Sequence, residues 1–257
     1  MPKKYAQGVK LIKRRNKFFL LMFALVLLVA VVFAGEGLAS LIRYGSISVF
    51  GKSSASSYTL YALSFGMYDS EVEAETMASA VSVRGAGAYI YKHNGKCYVL
   101  GCVYPTNDSA SKVASDIKEY KCEVVPIKFN KVKVDIANAT KQDKKVVDDS
   151  LQFLKSMYTN MYDNVIKLDT GDITNIACSN NVNYLKAEAK VQVANVMRVN
   201  ANMGNTKLAS ICNAYIKVID SLDNLVNKLL QSNSVSYVAK YTLCEIVAIS
   251  QNLYNEL

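Results

Sequence analysis

The sequence is poor in the residues that most enzymes use for catalysis. It contains one histidine, His93, which lies beside a predicted hairpin turn and is best interpreted as a solvated turn residue. No Ser-His-Asp or Cys-His arrangement, phosphate-binding loop or metal-ligand spacing occurs. We therefore expect no catalytic residue, no metal site and no cofactor, and we predict that the protein is not an enzyme.

Glycine and proline are also scarce, with 12 and three residues, whereas 51% of the residues are hydrophobic. This composition excludes a wholly disordered chain. The length of 257 residues is enough for one or two domains of the usual size, roughly 100 to 200 residues each.

Acidic residues are absent from the first 17 positions, which contain seven lysines and arginines. The net charge of +9 therefore belongs mostly to this short tail, and the remaining chain is close to neutral. A charge of this kind does not indicate a nucleic-acid-binding surface on the folded part.

An uncharged apolar run, Phe18 to Ala34, follows the basic tail. Its length suits a bilayer core of about 30 Å, so we predict a transmembrane helix at 18–35. The positive charges predict that the tail (1–17) is cytoplasmic and that the chain after Gly35 is exported, as in a single-pass protein of the cell membrane. A cleaved signal peptide is the alternative, because the run ends in a small residue. Residues 36–57, rich in glycine and serine, are predicted to be a flexible linker.

The segment 58–129 contains the same pattern twice. A shift of 36 residues places three residues of the first copy on three of the second: Gly66 on Cys102, Tyr68 on Tyr104, and Ala74 on Ala110. Each copy reads as a strand, an amphipathic helix and a second strand. Asn94-Gly95 joins the copies and is a strong hairpin signal. The segment therefore predicts an α+β fold, a βαββαβ ferredoxin-like sheet.

The two predicted helices each carry a single apolar stripe. Both must then cover the same face of a four-stranded antiparallel sheet. The opposite face is then expected to stay open, and a ligand would bind there.

The repeated motif resembles the sporulation-related repeat, or SPOR, domain. The resemblance is carried by Gly66-Met67-Tyr68-Asp69-Ser70 followed by Ala74, and by Cys102-Val103-Tyr104-Pro105 followed by Ala110. It implies a module that binds peptidoglycan glycan strands without stem peptides, as found at division or sporulation septa. The chain departs from the family pattern in having tyrosine for phenylalanine and Cys102 for the second glycine.

The resemblance also implies a glycan-binding set on the open face: Ser64, Tyr89, Tyr91, Tyr98 and Leu100. Ser64 and Leu100 differ from the polar amide or basic side chains that the family often has there. Tyrosine suits sugars because its ring packs on their C–H faces while its hydroxyl meets theirs. The alternative for each tyrosine is ordinary strand propensity.

From about residue 143 the apolar residues recur with helical spacing, which predicts a helical bundle over 143–257. A coiled coil between two chains is the alternative, since heptad seams can pair in that way. The six cysteines lack the spacing of a disulfide framework and are interpreted mostly as small buried apolar residues.

The leading hypothesis is a membrane-anchored, non-enzymatic peptidoglycan-binding protein of the division or sporulation septum. Its expected partners are glycan strands, the membrane, and a protein or second copy at the C-terminal helices. A nucleic-acid-binding sheet is disfavoured, because Tyr58 to Lys128 contains seven basic and eight acidic residues. The remaining alternative is an extracytoplasmic scaffold whose bundle recruits a protein partner and whose sheet is structural.

Overall fold

The structure is a computed structural model that describes residues 57–231 and 236–257. The predicted basic tail (1–17), transmembrane helix (18–35) and nearly all of the linker (36–57) lie outside the described residues. Among the residues that are described, no helix combines the length and apolarity needed to cross a membrane. Residues 57–231 and 236–257 belong to one compact unit.

The first part of this unit is a four-stranded sheet with two helices. Its elements in chain order are β1 (Tyr58–Tyr68), α1 (Glu71–Ser82), β2 (Tyr89–His93), β3 (Lys96–Tyr104), α2 (Asn107–Asp116) and β4 (Glu123–Phe129). The strands lie in the order β2-β3-β1-β4, and every neighbouring pair is antiparallel. The predicted α+β class and the order of strands and helices are confirmed.

Short polar signals set the ends of these elements. Ser70 caps α1 by accepting a hydrogen bond from the Glu73 amide, and Thr106 caps α2 in the same way. Asn94 and Gly95 have φ values of 50° and 73°, the conformation that a two-residue hairpin needs. The chain therefore reverses tightly between β2 and β3.

The second part consists of four long helices, α3 (Lys141–Asp169), α4 (Asn175–Met203), α5 (Thr206–Gln231) and α6 (Ser236–Glu256). Each helix packs against the next, and α6 also packs against α3, which closes a four-helix bundle. The periodic apolar residues of α5 are buried within this chain: Leu208, Ile211, Tyr215, Val218, Leu222, Leu225 and Leu229. That seam is therefore used inside the bundle and is not free to pair with a second chain.

Helix α6 also packs against β2, β3 and β4. The prediction that one face of the sheet stays open is therefore wrong. Twelve of the 21 residues of α6 are buried, on more than one side of the helix. Because α6 packs against the helices of the bundle on one side and against the strands on another, it lies between the bundle and the sheet. Five of the six cysteines are buried, and all six are free thiols.

Candidate functional site: the tyrosine face of the sheet

One side of the sheet, called here the tyrosine face, carries Ser64, Tyr89, Tyr91, Tyr98 and Leu100. In the β2–β3 pair, Tyr89 lies opposite Leu100 and Tyr91 lies opposite Tyr98. In the β1–β3 pair, Ser64 lies opposite Leu100. Directly opposed residues point to the same side of a sheet, so all five residues lie on one face.

Most of this face is out of contact with solvent. Leu100, Ser64 and Tyr91 are 0%, 1% and 3% exposed, and Tyr89 and Tyr98 are half-buried. The cover is α6, which the sequence analysis did not place here. A glycan could reach Ser64, Tyr91 and Leu100 only if α6 moved away. The role of the five residues as glycan contacts stays a prediction.

Two tyrosines of the face make specific contacts with α6. The Tyr91 hydroxyl donates a hydrogen bond of 2.5 Å to the side-chain oxygen of Gln251. The ring of Tyr89 meets the ring of Tyr241 edge-on, with 5.2 Å between centroids. Burial raises the pKa of Tyr91 to about 12, with a further contribution from Tyr98 and an opposing one from the Gln251 hydrogen bond. Burial also raises the pKa of Tyr89, so the phenols of Tyr89 and Tyr91 both stay neutral under ordinary conditions.

Ser64 is held by its own strand. Its hydroxyl donates to the Gly66 carbonyl (3.0 Å) and accepts from the Gly66 amide (3.2 Å). Gly66 has a φ of 128°, and a Cβ there would lie 2.8 Å from the Tyr68 hydroxyl. That hydroxyl donates to the Phe65 carbonyl. The Gly66-x-Tyr68 motif is thus a turn that closes on itself and requires glycine.

The second copy of the motif has a different geometry. Cys102 stands where Gly66 stands in the first copy, but its φ lies outside the left-handed region. The irregularity falls one residue earlier, because Gly101 is skipped between the pairs Leu63–Cys102 and Ser64–Leu100. This β-bulge takes up the extra residue on β3.

A lysine on α6 forms polar contacts with both the bundle and the sheet part. The Lys240 ammonium donates to Asp169 at the end of α3 (2.8 Å) and to the carbonyl of Gly85 in the loop after α1 (3.1 Å). Burial opposes ionisation of Asp169, but the hydrogen bonds from Lys240 and Ser236 outweigh it and lower its pKa. One side chain therefore connects two helices of the bundle to the sheet part.

Gly87 brings the α6 backbone unusually close to the sheet. A Cβ at this position would lie 2.8 Å from both the Lys240 carbonyl carbon and the Tyr241 nitrogen. Only a residue without a side chain permits this approach. Four residues that hold α6 on the sheet were not predicted from the sequence: Gly87, Lys240, Tyr241 and Gln251. The signal that could have identified α6 as a covering helix was the spread of its apolar residues over more than one side, above all in the run Ile246 to Ile249.

The other end of α6 contacts an aromatic cluster at the edge of the sheet. Tyr58 and Phe129 stack with 4.2 Å between ring centroids, and Tyr254 meets both rings edge-on. The ammonium of Lys155, from α3, lies 4.8 Å above the Tyr58 ring, a distance typical of a cation–π contact. These contacts extend the cover from β2 across to β4.

The opposite face of the sheet retains a cavity of about 430 Å³ between the C-terminal ends of α1 and α2. Leu63 and Phe65 line it, together with Lys240 of α6 and the ion pair of Arg84 with Glu119 (2.6 Å). Its lining combines apolar and charged side chains. Such a lining does not indicate a particular chemistry.

No protein-family model matches the chain, and no curated protein matches it. Among solved structures, the chain is similar to the peptidoglycan-binding domain of the B. subtilis cell wall lytic enzyme CwlC, determined in solution. The identity is 22% and the TM-score 0.25, over 30% of this chain and 98% of that domain. A likeness at this level carries no argument about function.

Proposed function

We propose that the protein binds peptidoglycan through its sheet and recognises glycan strands that lack stem peptides. The observation that carries this proposal is the grouping of Ser64, Tyr89, Tyr91, Tyr98 and Leu100 on one face. Tyrosine rings at strand spacing offer flat apolar surfaces with hydroxyl groups, which is the chemistry that sugar rings require. The face is covered by α6, so binding requires that this cover be removed.

Two alanines of the repeated motif also support the proposal. Ala74 in α1 and Ala110 in α2 are both fully buried. A small side chain at this position lets each helix lie close to the sheet, which gives a physical reason for the alanine in both copies. The motif residues thus stabilise one arrangement of the sheet, the arrangement that the resemblance to SPOR domains implies.

The setting of the protein is also part of the proposal and rests on the sequence alone. The apolar run at 18–35 anchors the chain in the cell membrane, and the linker at 36–57 holds the compact unit outside the cytoplasm. The protein acts at the division or sporulation septum as a binding protein without enzymatic activity.

Binding can be tested by sedimentation of residues 53–257 with insoluble peptidoglycan. Amidase treatment removes stem peptides, so the treated material should pellet more protein than the untreated material. The Tyr98→Ala variant should pellet less, because Tyr98 is a half-buried member of the tyrosine face. Tyr120→Ala is the matched control, since its ring contacts Phe65 on the opposite face. Absence of pelleting at the highest glycan concentration would contradict the proposal.

The covered face favours a second candidate function. If the sheet only supports the bundle, the protein is an extracytoplasmic scaffold whose helices recruit a protein partner. A full-length fluorescent fusion carrying Tyr89→Ala and Tyr98→Ala discriminates between the two. Septal localisation should be lost if the sheet binds glycan, and it should persist if the bundle provides the targeting.

A further inference from the structure

We infer that α6 is an internal substitute for the glycan: it occupies the tyrosine face in the resting protein, and glycan strands bind only after the bundle has moved off the sheet. The inference rests on the glycan-binding function proposed above. It adds a mechanism that regulates access to the same site.

The groups that α6 presents to the face resemble those of an amino sugar. Gln251 offers a carboxamide oxygen to the Tyr91 hydroxyl at 2.5 Å. The N-acetyl substituents of peptidoglycan sugars carry the same functional group. Tyr241 meets the ring of Tyr89 with an apolar surface, as the C–H face of a sugar would. One helix therefore satisfies both kinds of contact that the glycan is proposed to make.

The composition of the interface suits a face that is exposed at some times and covered at others. Three of the five residues of the tyrosine face are tyrosines, whose hydroxyls stay compatible with water when the cover leaves. The same face continues over β1 and β4 with Leu60, Ala62 and Ile127, which are apolar and buried like an ordinary core. The part of the face that suits exposure to water is therefore the β2–β3 part, where the tyrosines lie. Leu100 is the wholly apolar member of the set, and its exposure contributes to the cost of opening.

The bundle has apolar contacts of its own that do not depend on the sheet, although opening must also release the buried hydrogen bond from the Tyr158 hydroxyl of α3 to the Val103 carbonyl of β3. Its four helices bury the α5 seam among themselves, and one segment, residues 130–140, joins β4 to α3 without a helix or strand. Val132 and Ile136 are buried along this segment. The Lys240 contacts to Asp169 and Gly85 hold the closed arrangement at the opposite end of the sheet.

Two substitutions should open the face. Gly87→Ala places a methyl group between the α6 backbone and the Gly101 carbonyl of β3, so α6 must move away from the sheet to make room for it. Gly87 has an ordinary φ, so the substitution adds no backbone strain of its own. Lys240→Met keeps the apolar stem and removes both polar contacts. The matched controls are Gly101→Ala, which collides with Phe65 on the other face, and Lys92→Met, which removes a surface ion pair with Glu71.

Opening is measured by hydroxyl-radical footprinting of residues 53–257, in which Tyr91 is modified faster when α6 no longer covers it. Binding is measured by sedimentation with amidase-treated peptidoglycan. Both opening variants should increase Tyr91 modification and bind glycan about tenfold more tightly, because apparent affinity scales with the fraction of competent protein. The controls should change neither quantity. Saturating glycan should also increase the modification of Tyr241 in the wild-type protein, by thermodynamic reciprocity.

The outcomes separate the inference from the function on which it rests. If the wild type binds glycan and the opening variants bind no better despite faster Tyr91 modification, the inference is wrong and the proposed function stands. If the opened variants bind no glycan at all, the proposed function is wrong. If neither variant changes Tyr91 modification while both remain folded by circular dichroism, the bundle does not act as a removable cover and the inference is wrong.

Discussion

The two faces of the sheet are covered by helices of very different kinds. On one face lie α1 and α2, short helices that follow β1 and β3 directly and bury only two and one residues. On the tyrosine face lies α6, which buries twelve residues and comes from the far end of the chain. The first face is built by local connections, and the second by a helix that belongs equally to the bundle.

The two faces also differ in how closely their helices pack against the strands. The face under α1 and α2 keeps a cavity of about 430 Å³ above Leu63 and Phe65. The tyrosine face has no comparable gap at Gly87, where the α6 backbone approaches closely. A face that binds a ligand is usually the more open one. Here the residues best suited to sugars lie on the closed face, which is why we propose a removable cover.

The largest change in stability is expected for a substitution that tests whether the tyrosine face is covered by α6. Leu100→Ala should lower the free energy of unfolding by about 2 to 5 kcal/mol, because it leaves a cavity beneath α6. Urea unfolding measures this change. Met67→Ala, at an exposed position on β1, is the control and should cost less than about 0.5 kcal/mol. A loss for Leu100→Ala as small as that of the control would mean that the face is open.

The next prediction compares the stability cost of adding a methyl group to a glycine on each face of the sheet. Adding a methyl group to a close-packed site costs about 1 to 3 kcal/mol. Gly87→Ala should cost more than Gly101→Ala, because Gly87 faces rigid helix backbone whereas Gly101 faces the ring of Phe65, which can rotate. Unfolding free energies of both variants give the comparison. A larger loss of unfolding free energy for Gly101→Ala than for Gly87→Ala would show that the contact with α6 accommodates a methyl group more easily than the contact with Phe65.

A smaller effect isolates the polar contact across the closed face. Tyr91→Phe removes the hydrogen bond to Gln251 and should cost about 1 kcal/mol. Tyr98→Phe is the matched control on the same face and should cost less, because the described contacts of Tyr98 are made by its ring. Equal losses in the two variants would argue against a specific contact between Tyr91 and α6.

The smallest effect concerns the ion pair at the end of α3. The pKa of Asp169 is lowered in the folded protein, so its contribution to stability is present above the unfolded pKa of about 3.9 and is lost as the pH falls through the lower folded value. Asp169→Asn should cost less than about 1 kcal/mol at neutral pH, since the pair is partly exposed. The difference from wild type in urea unfolding should shrink in strongly acidic buffer. A difference that does not depend on pH would contradict this account.

The local features of the sheet could be predicted from the sequence. Alternation in β1, the helix start near Ser70 and the Asn94-Gly95 turn each depend on residues that are close in the chain. Interactions between residues that are close in the chain can be recognised from the local sequence pattern. The grouping of the five tyrosine-face residues follows from strand alternation for the same reason.

The cover could not be predicted in the same way, because nothing in the repeat specifies a partner so distant in the chain. The sequence of α6 predicts a helix that buries more than one side, but it does not identify the second surface. The role of Gly87 could not be predicted from the sequence for the same reason. A lone glycine before a strand is compatible with many loops, and its role depends on the helix backbone that approaches it.

The most direct test of this account is hydroxyl-radical footprinting of wild-type residues 53–257 without ligand, with Tyr91 compared with Tyr237. Tyr91 is 3% exposed beneath α6 and Tyr237 is 40% exposed at the start of the same helix. The account predicts strong protection of Tyr91 and ready modification of Tyr237. Modification of Tyr91 at the rate of Tyr237 would show that α6 does not cover the tyrosine face.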